Sequence, residues 1–171
     1  MVKQYITLAA WLIGLLVGGG HSTIALARTL YTSGMRQGIS WQSYLLSRRQ
    51  VSQNSLGGVK SQVYVVEVET QVASQPVQRS RHWVHCSTRQ PFVAFPGTAG
   101  MKDWVIIHYL NPGGEYSGYN TDSHRLYWAV CHNMFRAHLD TLGRRARDLG
   151  YPGNLPSDQR EVPLFGAPSF R

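Results

Sequence analysis

The stretch Val63-Tyr64-Val65-Val66-Glu67-Val68-Glu69 decides how this chain is read. It is rich in β-branched residues, and its second half alternates. Tyr64, Val66 and Val68 share one face, and Glu67 and Glu69 point to the other. That is the period of a half-buried strand. A turn at Ser74-Gln75-Pro76 follows, and Val77 to Ser87 reads as the next strand. Phe92 to Phe95 makes a short third, closed by Pro96-Gly97, and Trp104 to Leu110 a fourth. The last is apolar almost throughout, as in a strand buried on both faces. Spacers this short, made of turn residues, predict an antiparallel meander.

Downstream, Asn111-Pro112-Gly113-Gly114 is a plain turn signal. Residues 123–149 then read as one helix, with Asp122 as N-cap. Leu126, Tyr127, Val130, Cys131, Met134, Phe135, His138, Leu142 and Leu149 fall on one side at helical spacing. Gly150 stands at the C′ position, and Gly143 is the point at which such a helix would split. The expected fold is therefore α+β: a small antiparallel β-meander packed against one long C-terminal helix.

Upstream, residues 28–58 are a polar N-terminal arm, read as weakly structured, although Trp41, Tyr44, Leu45 and Leu46 suit docking on the core. Residues 1–27 have the order of a signal peptide. Lys3 is a positive n-region, Ile6 to Val17 an apolar run, and Ala25-Leu26-Ala27 a small-x-small site with cleavage before Arg28. The alternative is an uncleaved anchor. The domain proper spans 59–150, and residues 151–171, with Pro152, Pro156, Pro163 and Pro168, form a Pro-rich extended tail. Export places the only two cysteines, Cys86 and Cys131, in an oxidising compartment and predicts a disulfide. Cys131 on the apolar helix face would meet the sheet that carries Cys86. The alternative is a reactive thiol beside His132.

The chain has 171 residues, 17 Lys+Arg against 9 Asp+Glu, a net charge of +8 and 43% hydrophobic residues. Wholesale disorder is excluded by that apolar content. No stretch after the N-terminus is long and apolar enough to span a membrane.

Chemistry is sparse. His82 and His85 flank Trp83, but strand alternation places them on opposite faces, which a shared metal does not tolerate. Cys131 and His132 point about 100° apart on a helix. Glu67, Glu69, Asp103 and Glu115 read as solvated strand and turn residues, and no G-x-S-x-G or H-E-x-x-H occurs. No cofactor is expected. The basic balance carries more information. Arg79, Arg81 and Arg89 flank the second strand with Trp83 outward between them, and Arg144, Arg145 and Arg147 line the helix end. Tyr116 and Tyr119 stand on a glycine-supported loop suited to stacking or protein contact. The leading expectation is an exported, non-enzymatic binding or accessory protein. Its basic surface meets an anionic envelope component or the acidic surface of a protein or membrane complex. The alternative is a small exported hydrolase using His85, His108 or His124 with a carboxylate, which requires a cleft with converging polar groups.

The run Cys86-Ser87-Thr88-Arg89-Gln90-Pro91-Phe92-Val93-Ala94-Phe95, then Asn111-Pro112-Gly113-Gly114-Glu115, Gly118-Tyr119-Asn120 and Tyr127-Trp128-Ala129-Val130-Cys131-His132, resembles a group of small exported cyanobacterial proteins of unknown function. The resemblance covers roughly residues 60–135. It implies the periplasm or thylakoid lumen, besides the extracellular space that export alone allows. It also supports pairing of the two cysteines, and it carries over no activity.

Overall fold

The computed structural model describes residues 23–56, 59–97, 103–114 and 120–163. Along the chain come β1 (Thr23–Arg36), β2 (Ile39–Leu56), β3 (Val59–Val72), β4 (Gln78–Cys86), β5 (Phe92–Pro96), β6 (Trp104–Tyr109), α1 (Thr121–His132), α2 (Leu139–Asp148) and β7 (Gln159–Pro163). The strands form one seven-stranded sheet in chain order, each antiparallel to the next.

This corrects the expected α+β fold. The four expected strands lie on β3 to β6, but the sheet is larger, and no long C-terminal helix forms. The helical stretch breaks at Asn133, which adopts the left-handed conformation at φ 56°. Its N–H and that of Met134 both bond Trp128 O, a Schellman-type ending. Asn tolerates positive φ better than most residues. Residues 133–138 then cross the core as a loop, with Arg136 also left-handed. Met134, Phe135 and Ala137 pack from that loop, so their spacing imitated a helix face. Gly143, the expected weak point, lies inside α2. The N-cap of α1 is Asn120, and Asp122 sits one residue into the first turn.

The arm is likewise not weakly structured, since residues 28–56 complete β1 and β2. Their alternation is hidden by bulges between Ala25 and Thr29, Leu30 and Thr32, Leu45 and Ser47, and Gln50 and Ser52. Each extra residue reverses which side chains face inward. Gln37 (φ 53°) and Gly38 (φ 79°) turn the β1–β2 hairpin, with positive φ at both central positions as in a type I′ turn. Part of the tail also pairs: β7 runs beside β6, His108 opposite Gln159.

One sheet face carries the helices. Leu45, Val66, Val68, Val84 and Val93 pack there against Leu126, Tyr127, Trp128 and Val130 of α1 and Leu142 and Ala146 of α2. A fully buried side chain of this size is worth ~1.5–3 kcal/mol. Arg48 Nη1 reaches from β2 to Val130 O at 2.6 Å, satisfying a carbonyl in the last turn of α1. The expected Cys86–Cys131 disulfide is present, with Cα atoms 5.5 Å apart, and fastens the end of β4 to α1. On the opposite face Phe92, Ala94, Val105 and Ile107 form a second cluster, with Trp83, Tyr109 and Val162 against it. Among the described residues, no helix is long and apolar enough to cross a membrane.

Candidate functional site

Where the first turn of α1 meets the sheet, the packing leaves a cleft of about 290 Å³. Its walls come from β1 to β6. Val68, Val93, Phe95 and Leu126 are apolar, and Tyr31, Ser43, Thr70, Ser80, His82, His108, Asp122 and Ser123 supply polar groups, with Trp41 at one side. This mixture of apolar walls and a few convergent polar groups is the usual make-up of a ligand site.

The sharpest geometry joins β6, α1 and β7. Ser123 Oγ lies 2.8 Å from His108 Nδ1, and His108 Nε2 lies 3.0 Å from Gln159 Oε1. A glutamine carbonyl only accepts, so Nε2 carries the proton and Nδ1 is the lone pair facing the serine hydroxyl. Burial holds the His108 pKa below the ordinary value, and the Gln159 bond opposes this. The imidazole is thus neutral at pH 7 and able to take a proton. A nucleophile, a base within reach and a third group that orients the base are the parts of an activated serine. Ser123 also sits in the first turn of a helix whose N-cap makes no side-chain cap bond, where backbone N–H groups favour negative charge.

A second serine–histidine pair lies across the cleft. Ser80 Oγ is 2.8 Å from His82 Nε2, and the Phe95 ring stands between the two histidines, 5.7 Å from His82 and 4.8 Å from His108. Burial lowers the His82 pKa to about 4. Thr32 Oγ1 donates to Asp122 Oδ1 at 2.7 Å and accepts from Arg125 Nη1 at 2.9 Å, which ties β1 to α1 at the cleft margin. Two lining atoms, Trp41 Nε1 and His82 Nδ1, are buried with no hydrogen-bond partner among the described residues. Unpaired buried polar atoms are rare, and two in one cleft fit a ligand that completes them.

The sequence-selected residues fall in several places. Arg79, Arg81 and Trp83 share the β4 face turned away from the helices. Arg79 Nη2 is 3.0 Å from Glu69, Arg81 stands opposite Glu67, and Trp83 packs in the second apolar cluster. Arg89 lines a separate cleft of about 360 Å³ with Tyr109, Asp158 and Arg160. Arg144, Arg145 and Arg147 are exposed on α2, which packs on the helix side of the sheet. The two arginine groups therefore do not form one surface. Tyr116 and Tyr119 lie outside the described residues.

Of the three histidines considered for hydrolysis, His108 lines the α1–sheet cleft. His85 is engaged by Ser61 Oγ at 2.5 Å and Gln90 O at 2.7 Å, on the other face from His82. His124 is fully buried, its pKa pushed down to about 3 by burial and by His108 beside it. No group of three or more His, Cys, Asp or Glu side chains gathers among the described residues. Neither Ser123 nor Gln159 stands in a recognisable motif, and Gln159 reaches His108 only through strand pairing 51 residues away. No protein family, curated protein or solved structure matches the chain.

Proposed function

We propose that the protein is an exported hydrolase that opens an ester or amide in the α1–sheet cleft, with Ser123 as nucleophile and His108 as base. The observation that carries this reading is the Gln159–His108–Ser123 relay, opening on its serine side into the cleft. Ser123 Oγ attacks the substrate carbonyl carbon, and its proton passes to His108 Nδ1. As the tetrahedral adduct collapses, that proton moves to the departing alcohol or amine, leaving an acyl-serine. Water then attacks the acyl carbon and gives a proton to His108. The proton returns to Ser123 as the acid departs. Gln159 keeps the imidazole in the useful tautomer throughout. The carboxylate of the sequence reading is replaced by this neutral amide. It orients the ring but stabilises the imidazolium less than an aspartate does.

The test is labelling with a fluorophosphonate and hydrolysis of p-nitrophenyl acetate by the disulfide-intact protein. Mass mapping is expected to place the label on Ser123, and both signals are expected to vanish in Ser123→Ala and fall sharply in His108→Ala. A folded protein whose Ser123 stays unlabelled, or whose esterase rate survives Ser123→Ala, overturns the reading.

A second reading rests on a different observation. Arg144, Arg145 and Arg147 are all exposed on α2. They suit an anionic envelope component or an acidic protein surface, in an accessory role that needs no chemistry. Its mark is association that weakens with salt and is lost in a triple Ala variant of these arginines. Binding unchanged by salt argues against it.

A further inference from the structure

Of the large hydrophobic side chains exposed among the described residues, Met35 (72%), Ile39 (51%) and Val77 (51%) belong to one end of the sheet. Met35 and Ile39 flank the β1–β2 turn, and Val77 lies in the β3–β4 turn. The two turns are neighbours, because Trp41 pairs with Val72 and Ala73 N bonds Ser40 O at 3.0 Å. Scattered exposed apolar residues need no explanation, but a cluster on adjacent hairpin ends does.

The two turn segments themselves carry charges of one sign, although Arg79 is paired with Glu69 of β3 at 3.0 Å. Residues 33–42 and 72–79 contain no Asp or Glu, and each carries one arginine, Arg36 and Arg79. Arg36 is exposed and makes no ion pair among the described residues. Trp41 is half-buried just behind the apolar tips and lies across Gly34, where a Cβ would overlap its ring. Apolar tips, an aromatic ring one step behind and Arg36, which has no ion pair among the described residues, match a membrane interface with anionic headgroups.

We infer that the paired β1–β2 and β3–β4 hairpin ends are a docking edge for an anionic lipid surface, with Met35, Ile39 and Val77 entering the headgroup–acyl boundary and Arg36 meeting the headgroups. The inference is independent of the Ser123 chemistry. Because Trp41 lines both this end and the α1–sheet cleft, docking brings the cleft margin close to the bilayer.

The test is flotation of the disulfide-intact protein with vesicles of phosphatidylcholine alone or mixed with phosphatidylglycerol. Co-flotation is expected only with the mixed vesicles, weakening as salt rises. Met35→Ser/Ile39→Ser is expected to reduce it by roughly tenfold or more. Val77→Ser, on the other hairpin, is expected to weaken binding by itself, so the inference stays open to refutation if the double variant misfolds. No flotation of the wild type, equal flotation with neutral vesicles, or folded variants that float like the wild type each overturn it. A solution dimer that dissociates in the double variant assigns the edge to a second copy of the chain instead.

Discussion

His108 Nδ1 and Ser123 Oγ stand 2.8 Å apart, one at the end of β6 and the other in the first turn of α1. The two are 15 positions apart in the chain, yet the end of a strand and a helix N-terminus share one corner of the cleft. Gln159 fixes the far side of the ring from β7. Three elements thus hold three side chains in line.

Gln159 acts through His108, as a positioning residue, so its replacement should move a pH profile. Gln159→Glu puts a carboxylate on Nε2 and raises the His108 pKa by favouring the imidazolium. The rise of esterase rate with pH is expected to shift upward accordingly. Gln159→Ala is expected to lower kcat by about tenfold with little change in KM. An unchanged profile in Gln159→Glu would separate Gln159 from the base.

Acid should destabilise the fold. The pKa values of His82, about 4, and His124, about 3, lie below the 6.5 of an ordinary histidine. Below pH ~6.5 the unfolded chain therefore binds protons that the folded chain refuses. The stability these neutral rings contribute is fully present above that pH and is lost as pH falls toward their folded values. The loss approaches about 1.4 kcal/mol per pH unit for the fully buried ring. Glu69 acts in the same direction: its bond from Arg28 holds its carboxyl below the usual range, so that contribution also disappears in acid. Thermal melts from neutral to acid pH are expected to show Tm falling below pH ~6.5. A flat Tm across that range contradicts the buried neutral histidines.

The disulfide closes a separation of 45 residues. Its removal is expected to cost ~4 kcal/mol in the chain-entropy model. Cys86→Ser/Cys131→Ser should lower Tm by roughly 10 °C. Calorimetry of the variant against the oxidised and reduced wild type checks this.

A buried chain of hydrogen bonds lies beside that bridge. Tyr127 OH donates to Ser87 O at 3.2 Å and lies 2.7 Å from Tyr151 OH, which lies 2.7 Å from His132 Nε2. Since the Tyr127 proton goes to Ser87, Tyr151 donates to Tyr127 and His132 donates to Tyr151. Tyr151→Phe removes the middle member, leaving His132 Nε2–H without its acceptor and Tyr127 with only its bond to Ser87. The expected loss is ~1–3 kcal/mol, seen in denaturant melts, while Tyr44→Phe on the exposed surface should change little.

Export predicts an intact mass beginning at Arg28, two hydrogens lighter than the reduced form. The β1–β2 register breaks between Ala25 and Thr29, so pairing from Thr29 onward survives cleavage. Arg28 is anchored by Glu69 at 2.7 Å and lies over the Tyr44 ring at 3.6 Å. A natively extracted chain beginning at Met1 contradicts processing at this site.

The sequence by itself determined the strands β3 to β6, their antiparallel order and the face each side of β4 presents. Alternation over regular strands is a local property, and it sufficed to set Cys86 toward α1 and His82 and His85 apart. It could not reveal β1 and β2, because bulges reverse the alternation and buried polar residues such as Ser43 are satisfied by partners on neighbouring strands, Thr70 and Tyr31. Nor could it break the helix at Asn133, since the loop residues Met134 and Phe135 reach the same core that a continuing helix would have used. Only the tertiary structure decided the cleft. Ser123, His108 and Gln159 lie on a helix and two strands, and their meeting depends on how α1 lies on the sheet and on β7 pairing with β6. Side-chain chemistry of this kind is a product of long-range pairing, which leaves no period in the sequence.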